Sequence, residues 1–177
     1  IPLNIDSYAY TLQVGPQIGP EFEELGGRND FRKFTYLSGG KKKDVNLRGG
    51  DSQLLEEDAD WAAIVGKYFT AIGIPYLQEF DVVFATEEVA GLPAGNQMYF
   101  SRPVISSSTN TDRYRFYFGP KVNDELARYD NKDENGFNSN NVEIDQVVDR
   151  NLLLGWLENI LKFFLQIFYK VVGNYEI

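Results

Sequence analysis

The sequence contains no cysteine and no histidine among its 177 residues. A chain without these side chains cannot build a disulfide framework, a thiolate nucleophile or an imidazole base, and it lacks the usual ligands of structural zinc. The Gly-Gly turn followed by Lys41 does not have the spacing of a phosphate-binding loop. We therefore predict that the chain is not an enzyme and that it has no catalytic residues, no metal site and no cofactor.

Basic residues are also scarce, since 17 Lys and Arg face 26 Asp and Glu and leave a net charge of −9. Nucleic-acid binding depends on neutralising phosphates with Lys and Arg, so this balance excludes a nucleic-acid partner. Hydrophobic residues at 43% exclude a disordered chain. No signal peptide opens the sequence at Ile1-Pro2-Leu3, and we expect further sequence to flank it.

Aromatic residues are abundant, with 13 Phe and 11 Tyr, and they favour strands. Strand-like segments are separated by Gly, Pro, Asn and Ser, which is typical of an antiparallel β-sandwich. The predicted strands are Tyr10–Val14, Phe31–Leu37, Phe80–Thr86, Gln97–Ile105 and Tyr114–Phe118. The fold class is therefore mainly β, with a short helical turn at Pro20–Leu25, a mid-chain helix and a C-terminal amphipathic helix added.

The mid-chain helix is predicted over Asp60–Ile72, where Asp60 can cap the first turn and Gly73 and Pro75 end the helix. Its apolar residues recur at helical spacing on one face, which predicts core packing. These residues are Trp61, Ile64, Val65, Tyr68, Phe69 and Ile72.

Two segments share one pattern. Tyr10-x-Leu-x-Val-Gly15-Pro16 is repeated as Tyr114-x-Phe-x-Phe-Gly119-Pro120, and a Glu-containing helical turn follows each copy. The repeat suggests related positions in a layered β structure.

The C-terminal thirty residues predict a long helix, Leu152–Val172, with Asn151 at the N-cap and Gly173 at the C-cap. At 100° per residue the polar side chains occupy a stripe about 120° wide, whereas the apolar ones cover roughly 200°. Packing on a soluble core requires only about 100°, so part of this face needs a second apolar partner.

Three interpretations of this helix compete: a transmembrane span, an interfacial helix and a core helix. Glu158 and Lys162 lie mid-segment, and a charge at the bilayer centre costs roughly 2.5–3.5 kcal/mol, which disfavours a span. The wide apolar face and the single polar stripe favour an interfacial or partner-binding helix. The predicted interface residues are Trp156, Leu157, Ile160, Lys162, Phe163, Phe164, Ile167, Phe168 and Lys170.

Other candidate sites are weaker. Asn131–Gly136 has the spacing of the start of a calcium-binding loop, but Val142 replaces the bidentate Glu of its twelfth position. Lys41-Lys42-Lys43 could touch anionic headgroups, although a solvated hairpin tip is the simpler interpretation. Glu57 and Asp60 are better explained as helix caps than as a glycosidase pair.

Three blocks resemble the YidC family of bacterial membrane protein insertases. They are the segment from Trp61 through Tyr68-Phe69 to Ile74-Pro75, the turn Tyr117-Phe118-Gly119-Pro120-Lys121, and the C-terminal run from Gly155-Trp156-Leu157 to Val172-Gly173-Asn174-Tyr175. They occur in family order from mid-chain to the end. The C-terminal segment departs from the family because it contains no Pro and is shorter.

The resemblance implies a large periplasmic domain with a supersandwich fold like that of galactose mutarotases (residues 1–150), followed by an amphipathic interfacial helix (residues 151–177). Transmembrane helices outside this chain would tether it to the periplasmic side of the inner membrane. The family inserts and folds inner-membrane proteins, alone or with the Sec translocon, through a membrane core that this chain lacks.

The implied partners are the lipid interface, the Sec components SecF and SecYEG, and nascent membrane proteins. The alternative left open is a soluble carbohydrate-binding sandwich, which requires a cleft lined by exposed aromatic side chains.

Overall fold

The structure is a computed structural model that describes residues 8–15, 32–47, 50–76, 80–87, 95–104, 111–136, 142–149, 160 and 163–168. The chain divides into two units, Ile1–Val147 and Val148–Ile177. The strands described in the first unit are β1 (Tyr8–Val14), β2 (Lys33–Ser38), β3 (Lys41–Val45), β4 (Ser52–Leu54), β5 (Trp61–Val65), β6 (Phe69–Tyr76), β7 (Asp81–Glu87), β8 (Gly95–Pro103) and β9 (Arg113–Pro120).

These strands form a four-stranded sheet in the order β1-β8-β7-β4 and a five-stranded sheet in the order β3-β2-β5-β6-β9. Every pairing is antiparallel. The tightest connection joins β2 to β3 through Gly39 and Gly40, whose φ angles of 55° and 72° are both positive. Two consecutive positive φ angles are what a two-residue hairpin turn requires, and Gly adopts them without steric cost.

The main core lies between the inner faces of the two sheets. Phe34 of β2 stacks on Phe84 of β7 with ring centroids 4.6 Å apart, and Phe100 of β8 lies over Gly73 of β6. Burial of these aromatic side chains supplies much of the apolar area that drives folding. The two antiparallel sheets confirm the predicted β-sandwich class, while the likeness to galactose mutarotases stays a prediction.

The central strand β5 of the five-stranded sheet is also buried on its outer face. Short helical elements follow β9: α1 (Asn123–Ala127), a 3₁₀ turn (Arg128–Asp130), α2 (Lys132–Asn135) and a second 3₁₀ turn (Ile144–Val147). The second 3₁₀ turn lies against β5, and α1 packs on that turn. Leu126, Ile144 and Val147 are fully buried in this outer layer. All five residues of β5 are consequently buried on one face or the other.

The predicted mid-chain helix Asp60–Ile72 is wrong. Its residues form the hairpin β5–β6, in which Ala62 pairs with Gly73 and Val65 with Thr70. A strand that is buried on both faces consists of consecutive apolar residues. It therefore lacks the alternation of apolar and polar residues that identifies a half-exposed strand. The apolar spacing over these residues therefore matched a helix by coincidence.

The five predicted strands are confirmed as β1, β2, β7, β8 and β9, with ends shifted by at most two residues. The sequence analysis did not predict β3 or β4. The helical turn predicted at Pro20–Leu25 lies outside the described residues. Of the predicted helix Leu152–Val172 the structure describes residues 160 and 163–168, which are helical.

The repeated pattern occupies β1 and β9, which are edge strands of different sheets. The Tyr10 and Tyr114 hydroxyls, which begin the two copies, lie 3.2 Å apart. Tyr10 also donates a hydrogen bond of 2.5 Å to Asp112, which pairs with Arg102. Burial, with the Asp112 carboxylate as the next cause, raises the pKa of Tyr10. The phenol therefore stays protonated and links the two sheet edges.

Candidate membrane-interface surfaces

The described part of the C-terminal helix is exposed. Ile160, Phe163, Phe164, Ile167 and Phe168 recur at i, i+3, i+4, i+7 and i+8, which places them on one helix face. Every one of them is exposed, with Phe163 at 60% and Phe168 at 61%. A helix face of this composition and width leaves a large apolar area in water, which marks an interaction surface rather than a core.

Four of the predicted interface residues, Trp156, Leu157, Lys162 and Lys170, lie outside the described residues. The membrane-interface role of the whole set therefore stays a prediction. Within the described parts of the chain, no helix is both long enough and apolar enough to cross a membrane.

The acidic candidates have ordinary structural roles. Glu57 accepts hydrogen bonds from Lys43 at 2.6 and 2.7 Å, from Tyr36 at 2.6 Å and from Ser38 at 3.0 Å. Lys43 and the other two donors lower the pKa of Glu57 to about 2. A carboxylate held in its charged form cannot serve as a general acid near neutral pH. Lys43 is thus an ion-pair partner of Glu57 within β3 and not a residue of a free hairpin tip.

The Asn131–Gly136 segment forms α2 and its caps. The Asn131 side chain accepts a hydrogen bond of 3.1 Å from the backbone N–H of Asp133, and Gly136 ends the helix with φ 74°. This is the usual pairing of an Asn N-cap with a left-handed Gly C-cap. Among the described residues, no group of three or more acidic side chains is close enough together to hold a metal ion.

A second exposed apolar surface lies where β6 begins and β9 ends. The β5–β6 turn and the end of β9 are adjacent there, since Phe69 pairs with Pro120. We call this surface the aromatic tip, and it consists of Lys67, Tyr68, Phe69, Phe118, Lys121 and Val122. Tyr68 and Phe118 are 66% and 62% exposed, and Phe69 and Val122 are also exposed.

The aromatic tip was not predicted, because Tyr68 and Phe69 were assigned to the core face of the mid-chain helix. One signal could have indicated that Tyr68 and Phe118 are exposed, although not that they lie together. Gly66-Lys67 precedes Tyr68, and Gly119-Pro120 follows Phe118, so each aromatic residue borders a break typical of a turn. Aromatic residues beside turns reach solvent more readily than those inside a strand.

Two of the resembling blocks meet in the fold. The block from Trp61 to Pro75 forms β5 and β6, and the block from Tyr117 to Lys121 ends β9. These three strands are neighbours in the five-stranded sheet, and β6 and β9 pair over eight residues each. The blocks therefore describe one continuous sheet region.

A model of the YidC periplasmic domain family matches residues 13–167. The chain belongs to the YidC periplasmic domain family. The family predicted from the sequence is thereby confirmed.

The relatives are proteins named membrane protein insertase YidC. The chain is 32% identical over 177 residues to the one from Treponema denticola, which covers 99% of this chain and 30% of that protein. It is 29% identical over 170 residues to the one from Treponema pallidum, covering 96% of this chain and 27% of that protein. It is 29% identical over 127 residues to the one from Chlorobaculum parvum, covering 69% and 19%. The chain thus spans less than a third of these relatives.

Proposed function

We propose that the chain is the non-catalytic periplasmic domain of a membrane protein insertase, tethered to the periplasmic side of the bacterial inner membrane by transmembrane helices outside this chain. The observation that carries the proposal is the family match over residues 13–167, joined to relatives that are named insertases and are more than three times as long. The rest of such a protein has ample length for a membrane core.

The C-terminal helix supplies the membrane contact in this proposal. Its described apolar side chains are exposed, and a helix with a wide apolar face and a polar stripe lies in the headgroup region with its apolar face toward the acyl chains. Lys162 and Lys170 belong to the polar stripe and extend toward headgroups and water. The helix positions the sandwich next to the membrane part of the insertase.

The proposed partners follow from the family. Sec translocon components, SecF and SecYEG, dock on the surface of the domain. Nascent membrane proteins are inserted and folded by the membrane core, with this domain as an accessory. The exposed apolar face of the C-terminal helix is consistent with a site of action at a membrane.

Removing everything after Asn151 tests the role of the helix. The truncated chain should keep its β-sheet circular dichroism and its cooperative unfolding, because the sandwich core lies within Ile1–Val147. Its association with liposomes, measured by co-sedimentation, should fall strongly. A truncated chain that binds liposomes as well as the full chain would show that the helix does not supply the membrane contact, and one that unfolds would show that the helix belongs to the core.

Paired substitutions on the helix provide the matched control. Phe164→Ser with Phe168→Ser removes two exposed aromatic rings from the apolar face, and liposome association should fall strongly. Asn159→Ser with Gln166→Ser changes two residues of the polar stripe, and association should be retained. Ser replaces the native residue in both pairs, so the difference in helix propensity between them is small.

A further inference from the structure

From the aromatic tip we infer that the sandwich itself has a second lipid-binding surface, distinct from the C-terminal helix. The tip inserts Tyr68, Phe69, Phe118 and Val122 into the headgroup region of a bilayer, with Lys67 and Lys121 at the phosphates. Nothing in this inference depends on the helix binding lipid.

The tip exists because the aromatic residues of β9 extend beyond the core. Tyr114, Phe116 and Phe118 share one face of the strand and stack in sequence, with centroids 6.2 and 6.1 Å apart. Phe100 packs edge-on against the first two rings. Phe118, the third ring, is left 62% exposed.

The tip is held rigidly by its backbone. The Lys121 N–H donates to the Tyr68 carbonyl at 2.7 Å, and the Gly66 N–H donates to the Phe69 carbonyl at 2.9 Å. The Lys121 ammonium adds a third hydrogen bond of 2.9 Å, to the Gly66 carbonyl. These bonds join the β5–β6 turn to the end of β9 and fix the backbone from which the exposed side chains project. A preorganised surface loses little conformational entropy on binding.

The chemistry of the tip matches a lipid interface. Tyr and other amphipathic aromatic rings favour the headgroup level of a bilayer, and lysines beside them extend their ammonium groups toward phosphates. The Lys67 ammonium lies 5.0 Å from the centroid of the Tyr68 ring, so cation and ring already present one amphipathic unit. Two lysines also complement anionic headgroups, and each contributes about a fivefold gain in affinity.

An apolar peptide is the competing occupant. The lipid surface is favoured because exposed apolar side chains of the β5–β6 turn and of the end of β9 lie side by side, with a lysine in each segment. Both occupants can be tested with the same probe.

The absence of cysteine permits a site-specific test. Single-cysteine variants Tyr68→Cys, Phe118→Cys and Val104→Cys are labelled with nitrobenzoxadiazole in the full chain. Val104 is a matched control because it is 59% exposed. Val104 directly follows β8, two residues after Arg102. Arg102 pairs with Asp112, which immediately precedes β9, so roughly 20 Å of strand separates Val104 from Phe118.

The labelled chains are held on vesicles by a C-terminal hexahistidine tag and nickel-chelating lipid, so that contact does not require the C-terminal helix to bind. The vesicles are phosphatidylcholine, with or without phosphatidylglycerol. At positions 68 and 118 the probe should shift to the blue and brighten severalfold, whereas at position 104 it should remain as in water. A probe spectrum at positions 68 and 118 that remains as in water when the chain is held on vesicles would overturn the inference. A probe that responds to an apolar peptide but not to vesicles would also overturn it.

The lysines are tested separately without the tag. Lys67→Gln with Lys121→Gln should remove most of the gain in affinity that phosphatidylglycerol gives, about fivefold for each lysine. Lys41→Gln with Lys42→Gln removes the same charge from β3 and should leave that gain unchanged. Equal losses from both pairs would indicate attraction by overall charge and contradict a specific tip. The helix proposal fails by a different result, namely full liposome association after truncation.

Discussion

At the scale of single residues, the contact between Gly73 and Phe100 fixes how closely the two sheets approach. A Cβ atom at Gly73 would lie 2.3 Å from Cζ and 2.4 Å from Cε2 of Phe100. Both atoms belong to a ring that is fully buried and therefore has little room to move. Gly is required at this position by packing and not by backbone conformation.

Gly73→Ala should destabilise the sandwich by about 1–3 kcal/mol, because the Phe100 ring must shift within a close-packed core. Urea denaturation should show a lower midpoint with an unchanged slope. Phe100→Leu alone also costs stability, yet the double variant should lose clearly less than the sum of the two, since the smaller side chain makes room for the methyl group. Additive losses would contradict the proposed clash.

Glu57 makes the free energy of unfolding depend on pH in the acid range. Its pKa falls from 4.5 to about 2 in the folded state, so folding favours the charged form. The stabilisation is fully present above pH 4.5 and is lost as the pH falls through 2. Glu57→Gln should therefore flatten the decrease in unfolding free energy between pH 4.5 and 2, measured by urea titration at each pH.

Lys43→Met should flatten the same region, because Lys43 is the first cause of the lowered pKa. Glu56→Gln removes a neighbouring exposed carboxylate and controls for the change in net charge. If the Glu57 variant kept the full acid dependence of the native chain, the Lys43–Glu57 interaction would not contribute to folding.

At the scale of elements, the short helices after β9 are part of the folded core. Leu126 of α1 and the apolar residues of the last 3₁₀ turn are as fully buried as the strand β5 beneath them. These elements carry few internal hydrogen bonds, so their stability comes from packing on the outer face of the sheet.

Leu126→Ala should cost about 2–5 kcal/mol, the range for a buried Leu that leaves a cavity. Val122→Ala, one turn earlier and exposed, should change stability by less than about 0.5 kcal/mol. Equilibrium denaturation of both variants distinguishes a core layer from a surface attachment. Similar small effects for both would show that α1 does not cover the sheet.

The elements also show what the sequence reveals and what it hides. β1 and β9 are edge strands, and large residues at alternate positions, Tyr10-x-Leu-x-Val and Tyr114-x-Phe-x-Phe, identified them. β5 has no such alternation because a second layer covers its outer face. β3 begins with three lysines, as suits an edge strand, directly after the hairpin turn at Gly39 and Gly40.

The two candidate surfaces also differ in whether the sequence could predict them. The C-terminal helix was predictable because its apolar arc is a property of sequence alone. The aromatic tip was not, because it arises only when β6 and β9 pair and bring together residues about fifty positions apart. Sequence periodicity contains no information about such long-range neighbours.

At the scale of the whole molecule, the net negative charge of the chain opposes the proposed membrane contact. A net charge of −9 repels an anionic membrane surface. Close approach therefore depends on apolar contact and on a few well-placed cations. The proposed surfaces of the C-terminal helix and of the aromatic tip each combine apolar side chains with lysines.

The strand order also determines when the domain can fold. Tyr10 and Tyr114, which join the two sheet edges, are 104 positions apart in sequence, and among the described strands β1 pairs with β8 alone. A chain that emerges with its N-terminus first must keep β1 unpaired while most of the domain follows. Such high contact order slows folding and prolongs exposure of apolar strands. The domain therefore passes through a long interval in which its first strand is open to pairing with other chains.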